Sequence, residues 1–222
     1  MLKHLISKFA AVAVALISTA AIYSQAVTIN PHLEVGFADV RGGICSVTDG
    51  SVGMITEDTP SRTLLFNRTF RGQPAPQFCD PVLNPNGSQM TLGQFRRARG
   101  LSVVKCTDHG TLSAFFFSGL RPRGVYSVWI IIPNPNPGPP VGVGGIGRTA
   151  LSENSFVADA FGNGHIIRTT PEQDLSLFGS VGPCLLDGPF MFDFVYHSDG
   201  QTYGPSPGPP NTVVTNGNFV FP

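Results

Sequence analysis

Residues 112–132, LSAFFFSGLRPRGVYSVWIII, constrain the fold more than any other part of the chain. Two runs rich in aromatic and β-branched residues flank a turn at 118–124, Ser-Gly-Leu-Arg-Pro-Arg-Gly. Such runs suit a pleated, buried surface. In the second run Val125, Ser127, Trp129 and Ile131 share one face, and Tyr126, Val128, Ile130 and Ile132 share the other. Both faces are mostly apolar, which predicts a central strand covered on both sides. The pair of runs reads as a hairpin in the core of an all-β domain.

The first 26 residues read as a targeting segment. Lys3 and Lys8 give a positive start, residues 9–22 are apolar and uncharged, and Ser24-Gln25-Ala26 is a small-x-small cleavage site. This is the pattern of a secretory signal peptide cut after Ala26. The competing reading is a membrane anchor, but a span needs about 20 apolar residues. Residues 27–222 then form the mature chain, with no transmembrane segment. Without Lys3 and Lys8, 12 basic residues face 14 acidic ones. No basic patch is evident, which argues against nucleic acid as a partner.

A charged fraction of 13% and a hydrophobic fraction of 41% argue for a real core rather than disorder. The 26 glycines and 20 prolines fall mostly between apolar runs, as they do among many short strands joined by tight turns. The expected fold is a single antiparallel β-sandwich, immunoglobulin-like or superoxide-dismutase-like, with one or two short helical turns.

Along the chain, residues 33–40 and 51–56 read as early strands and 62–70 as a stronger one. Residues 72–86 are Pro-rich and irregular. Residues 90–99 fit a short helix or a surface loop, and 101–106 a strand. Asp108-His109-Gly110 turns the chain into 111–117. Residues 133–147, PNPNPGPPVGVGGIG, look like a low-complexity loop without core-forming capacity. Strands at 154–161 and 165–169 meet at Gly162-Asn163-Gly164, a hairpin signal. Thr170 and Pro171 suggest a helix start, with Thr as cap and Pro at the first helical position. In 190–196 Phe190, Phe192, Phe194 and Tyr196 point one way, and Met191, Asp193 and Val195 the other, which reads as the wet face. Residues 198–210 form a second Gly/Pro loop, and 212–221 a closing strand.

Several motifs lose their appeal on inspection. Residues 142–147 match GxGxxG, but a dinucleotide site needs a strand before the glycines and a helix after them. Residues 204–208 match the GxSxG elbow of hydrolases. The residue after Ser206 is Pro207, which has no N–H to serve as an oxyanion donor. His32, His109, His165 and His197 show no local metal spacing. Asp187, Asp193 and Asp199 would hold calcium only if the fold gathered them. Cys184, Met191 and His197 differ in order and spacing from a copper loop. Trp129 and Tyr126 lie on opposite faces and read as core rather than a binding platform. Asn67 and Asn86 begin N-glycosylation patterns, which matter in a eukaryotic secretory route.

Cys45, Cys79, Cys106 and Cys184 contain no CxxC pair. In an exported protein an even count reads as two disulfides, and four cysteines allow three pairings. Cys45–Cys79 with Cys106–Cys184 is the favoured one. The first would close the loosely patterned N-terminal region, and the second would tie two core strands.

At 119–129 the text GLRPRGVYSVW resembles a recurrent pattern, GL-x-P-x-x-x-Y-x-V-W, of uncharacterised secreted bacterial β-sandwich proteins. The resemblance extends through residues 86–93, 154–156, 162–164 and 196–200. It implies export and a sandwich fold, and the family has no established activity to carry over. A second likeness is to chordin-type and copper/zinc superoxide dismutase sandwiches, in which a GL-x-P turn also leads into a strand. There the strand carries metal-binding histidines; here it carries Tyr126 and Trp129.

The functional expectation is an exported, non-enzymatic binding module acting through its Gly/Pro-rich loops on a protein or small-molecule ligand. His197, Asp199 and Tyr203 are the candidate ligand-binding residues, with no catalytic set, no metal set and no cofactor expected. The alternative is a metal-binding protein or metalloenzyme that uses His197 with sequence-distant histidines or aspartates.

Overall fold

A computed structural model describes residues 23–28, 42–45, 52–54, 58–67, 80–148, 153–180, 182–209 and 212–221, with backbone alone for 23–28, 42–45, 52–54, 67, 80, 215 and 216. The strands are β1 (Tyr23–Thr28), β2 (Gly42–Cys45), β3 (Val52–Met54), β4 (Phe66–Asn67), β5 (Asp80–Pro81), β6 (Arg99–Thr107), β7 (Gly110–Ser118), β8 (Val125–Ile132), β9 (Gly142–Gly145), β10 (Ser155–Val157), β11 (Gly164–Thr170), β12 (Phe190–His197) and β13 (Val213–Phe221). Two short helices, α1 (Leu92–Phe95) and α2 (Glu172–Leu177), interrupt them. No helix among the described residues is long and apolar enough to cross a membrane.

The strands build an all-β sandwich. One sheet runs β1-β6-β7-β11 and the facing one β10-β8-β12-β13, with β9 also on β8. A small sheet, β3-β2-β4-β5, accompanies them. All pairings are antiparallel. The core between the two main sheets is aromatic. Phe115 and Phe117 from β7 meet Phe192, Phe194 and Phe219 from β12 and β13. A Phe buries a large apolar area, and the alternation of period two delivers each ring to one face.

β8 is the central strand that its sequence predicts: every residue from Tyr126 to Ile132 is buried. Its partner across the turn is different from the expected one. β7 pairs with β6 and β11, whereas β8 pairs with β12, β9 and β10, so residues 118–124 form an arch between sheets rather than a hairpin. Turn and strand signals are the same for both arrangements. Here the arch lets the apolar face of each arm meet the other sheet. Gly119, at φ +69°, makes the arch possible, because a Cβ there would lie 2.2 Å from the Arg97 carbonyl oxygen.

The same correction applies at Gly162-Asn163-Gly164. β10 lies in one main sheet and β11 in the other, so this turn is also an arch. The two arches touch, with the Leu120 N–H donating to the Gly162 carbonyl at 2.9 Å.

The glycine run at 142–145 is a strand, not part of a loop: it pairs with Trp129 to Ile132 of β8, and Ile146 beside it is buried. Phe178 explains the glycines. A Cβ on Gly144 would come within 2.1 Å of its ring, and one on Gly142 within 1.4 Å of its carbonyl oxygen. The GxGxxG spacing thus serves close packing.

Elsewhere the elements are shorter than expected. Within 62–70 the strand is β4, while Leu64 makes an isolated bridge to Thr91 and Leu65 is fully buried. Residues 90–99 give one helical turn, closed by a capping box in which Thr91 and Gln94 satisfy each other's main chain. α2 is where the helix was expected, but Pro171 is its N-cap, and the Thr170 hydroxyl instead accepts from the Gly147 N–H at 2.9 Å. The expected strand at 33–40 and residue Cys79 lie outside the described residues. β1 straddles the expected cleavage point, with Ala26 opposite Leu101.

The Cys106–Cys184 disulfide is present, with a Cα separation of 5.7 Å. It fastens the end of β6 to the segment before β12. Thr111, opposite Cys106 on β7, adds a hydroxyl that accepts from the Leu185 N–H at 2.9 Å.

Candidate functional site

β12 ends at His197, and β8 begins opposite it at Val125. The face of this sheet turned away from the aromatic core carries Ser127, Trp129, Asp193, Val195 and His197. It is not the wet face that alternation suggests, since all five are buried. Asp193 lies directly opposite Trp129 and accepts from the Asn218 amide at 3.1 Å.

His197 and Ser127 form the most chemically suggestive contact. The Ser127 Oγ lies 2.7 Å from His197 Nε2, and the Trp129 indole N–H donates to the same Oγ at 2.7 Å. With the indole donating into the oxygen, the serine hydroxyl is free to donate to Nε2. In that arrangement His197 carries its proton on Nδ1; in the other tautomer Nε2–H donates to Oγ, and in both Nδ1 is buried with no hydrogen-bond partner among the described residues. Burial pushes the imidazole down to about 4, with the Asp199 carboxylate opposing the shift. His197 is therefore neutral near pH 7.

A serine beside a histidine is half of a nucleophile–base pair. Two features argue against that use. His197 is 1% exposed and Ser127 2%, so a substrate carbonyl cannot reach the oxygen. Among the described residues Nδ1 also lacks the carboxylate that orients the base in a triad.

Asp199 and Tyr203 pair with each other beyond the end of the strand, and Asp199 acts on His197 through its charge. The strand stops before them, so His197 and Asp199 do not share a strand face. Asp199 is exposed, and its carboxylate accepts from the Tyr203 hydroxyl and, at 3.1 Å, from the Gln201 N–H. The Asp199 hydrogen bond raises the Tyr203 phenol above its ordinary value. Tyr203 bridges to Ser206, and Gly208 packs so closely on its ring that a Cβ would lie 2.3 Å away. The second Gly/Pro loop is thus folded around Tyr203. Ser206, the would-be nucleophile, accepts from the Gly208 N–H at 3.2 Å as part of that turn.

The metal readings find no common centre. Among the described residues no three His, Cys, Asp or Glu side chains gather. Asp187 accepts from the Cys184 N–H, Asp193 meets Asn218, and Asp199 meets Tyr203. Cys184 is in the disulfide and is unavailable to copper. Asn86 is exposed, and its side chain accepts from the Ser88 hydroxyl at 2.7 Å. The side chain of Asn67 lies outside the described residues.

The stretch at 119–129 serves this chain as a scaffold. Tyr126 and Tyr196 face each other across β8 and β12, with ring centroids 5.2 Å apart. Gly124 allows this, since a Cβ would come within 2.9 and 3.0 Å of the two rings. The Tyr126 hydroxyl accepts from the Arg121 N–H at 2.8 Å, and the Tyr196 hydroxyl donates to the Leu83 carbonyl at 2.6 Å. Burial raises both phenols above their ordinary range. Phe156, from the 154–156 piece, stacks on Tyr126 at 5.6 Å. Segments far apart in sequence meet here to hold the arch.

Sequence reasoning missed Ser127 as the partner of His197. The available signal was a serine on the Trp129 face of an otherwise apolar strand. Compared with known proteins, the chain matches no family model and no curated protein.

Proposed function

We propose that this chain is an exported, non-enzymatic β-sandwich protein that binds a partner through loops carried at the ends of its sheets. The observation that carries the reading is the enclosure of His197 and Ser127. Among the described residues the histidine–serine contact at hydrogen-bond distance is Ser127–His197; both side chains are buried, and Trp129 donates into the serine oxygen. Asp199 and Tyr203 likewise hold each other. Export is supported by the Cys106–Cys184 disulfide, a bond that persists in oxidising compartments, and by the leader-like residues 1–26. The likeness to secreted bacterial sandwich proteins points the same way. Loops on a rigid sandwich are where such domains carry function.

A second reading, a metal centre on His197, is favoured by one observation: its Nδ1 is buried and unpartnered among the described residues. Elemental analysis of the purified mature protein separates the two. Substoichiometric copper, zinc and iron, unchanged in His197→Ala, is the expected result. Stoichiometric metal lost in that variant sinks the first reading.

A further inference from the structure

We infer that the end of the sandwich formed by the two arches docks on an anionic lipid bilayer, with Phe161 inserting and Arg97, Arg99, Arg121 and Arg123 contacting headgroup phosphates. This rests on the reading of the chain as a binding domain, and it names the surface and the partner.

Phe161 is 86% exposed, the most exposed large apolar side chain among the described residues. A single exposed Phe needs no explanation of its own; its setting is what matters here. It sits at the tip of a built turn. The Asp159 carboxylate accepts from the N–H groups of Phe161 and Asn163, both at 2.8 Å, and from the Asn163 side chain at 3.2 Å. Those bonds hold the Asp159 carboxyl below its ordinary value, that of the Asn163 N–H foremost. Gly162, at φ +78°, lies against the Leu120 carbonyl, where a Cβ would be 2.4 Å away. The ring is therefore displayed by an ordered support.

The fold brings four arginines to this support. The Arg123 N–H donates to the Ala158 carbonyl at 3.1 Å and the Asp159 carbonyl at 3.3 Å, two residues from Phe161. Gly119 lies on the Arg97 carbonyl, and Arg99 pairs with Ser118 at the end of β7. Arg97, Arg99 and Arg123 are exposed, with one Arg99 nitrogen donating to the Arg96 and Ala98 carbonyls; Arg121 is half-buried, with its Nε unpartnered among the described residues. In the sequence these arginines fall in two separate short groups, RRAR at 96–99 and RPR at 121–123. The arch at 118–124 and the start of β6 make them neighbours. Asp159 stays ionised within its turn and offsets one of the four positive charges, which leaves this end with an excess of arginine.

An exposed aromatic tip on an end of the sandwich whose main chain carries four arginines suits a bilayer interface. The ring enters the boundary between headgroups and acyl chains, while each guanidinium can pair with a phosphate through two donors. A protein partner would need a pocket shaped for Phe161, whereas a bilayer receives it without one.

The test uses the mature chain and vesicles of phosphatidylcholine with or without about 30% phosphatidylglycerol, an anionic content that gives a negative surface potential. Sedimentation should show binding to the anionic vesicles, at least about tenfold weaker binding to neutral ones, and release in about 0.5 M salt. Phe161→Ala should weaken binding about tenfold or more. Arg97→Gln with Arg123→Asn should weaken it about 10–30-fold. Asn is chosen because it tolerates the positive φ of 62° at position 123. All these side chains are exposed, so the thermal midpoint should hold. Trp129 is the sole tryptophan and is buried, so Phe161→Trp adds a reporter whose emission should shift to the blue on anionic vesicles.

No binding to anionic vesicles, equal binding to neutral ones, or binding indifferent to Phe161→Ala overturns the inference. So does capture by heparin without capture by vesicles, which would make the surface a site for soluble polyanions. Such failures leave the binding-domain reading standing, because that reading falls only on stoichiometric metal held through His197.

Discussion

Phe117 and Phe194 stack with ring centroids 4.1 Å apart and planes within 12° of parallel, although their strands belong to opposite sheets. This contact closes the sandwich beneath the 118–124 arch. Phe156 and Tyr126 continue the stack, each 5–6 Å from its neighbour. The aromatic column thus supports both arches from inside, and through them the end of the molecule that carries Arg123 and Phe161.

Phe194→Ala should therefore be among the most damaging single changes. Deleting a buried ring typically costs about 3–5 kcal/mol. Chemical denaturation should show a lowered midpoint with an unchanged slope. A loss under about 1 kcal/mol would place little of the stability in this column.

Trp129 has two roles that can be separated. It is 3% exposed, and its indole N–H donates to Ser127. Trp129→Phe keeps most of the ring and removes the donor, with an expected cost of about 1–3 kcal/mol. Trp129→Ala should cost about 3–5 kcal/mol. Equal losses in the two variants would mean that the hydrogen bond, not the packing, dominates. Native fluorescence should resist soluble quenchers.

The Cys106–Cys184 bond closes a long segment, with a sequence separation of 78. Replacing both cysteines with alanine should lower stability by about 2–5 kcal/mol, mainly by releasing the unfolded chain. A non-reducing peptide map should recover these two residues together. Finding Cys184 joined to Cys45 or Cys79 would contradict the pairing.

Export should leave an N-terminus at or near Val27. β1 gives this measurement a structural edge. Cutting after Ala26 leaves only Val27 and Thr28 of the strand, opposite Gly100 and Arg99. Mass spectrometry of exported protein that retains Tyr23 to Ala26 would instead keep β1 whole on β6 and move the cleavage site upstream.

The strands were legible where one residue's neighbours settle its environment. β8 and β12 announce themselves, since β8 is apolar on both faces and β12 places an aromatic at every second position. The sheet to which each belongs was not legible. Residues 118–124 carry the same turn signals whether β7 pairs with β8 or crosses from it, and only contacts such as Phe117 with Phe194 decide. β9 escaped notice because its glycines look like a linker until Phe178 is placed over them. His197 could be singled out by residue type, but its partner Ser127 is 70 residues away and the pairing register supplies the contact. Asp199 and Tyr203 fit a polar cluster by proximity in sequence. The end of β12 at His197 separates them from it.

The most direct test of the account is the pH titration of His197, followed by nitrogen NMR of its ring. If the residue is a buried structural group, it titrates near 4. An unfolded histidine titrates near 6.5. Protonation therefore favours the unfolded chain. The contribution of this group is full above pH ~6.5, falls as the pH drops toward 4, and amounts to about 3 kcal/mol. His197→Phe should flatten that part of the stability profile. A titration midpoint near 6.5, or a ring signal that changes on adding zinc or copper, would contradict the account and return His197 to the ranks of ligands and bases.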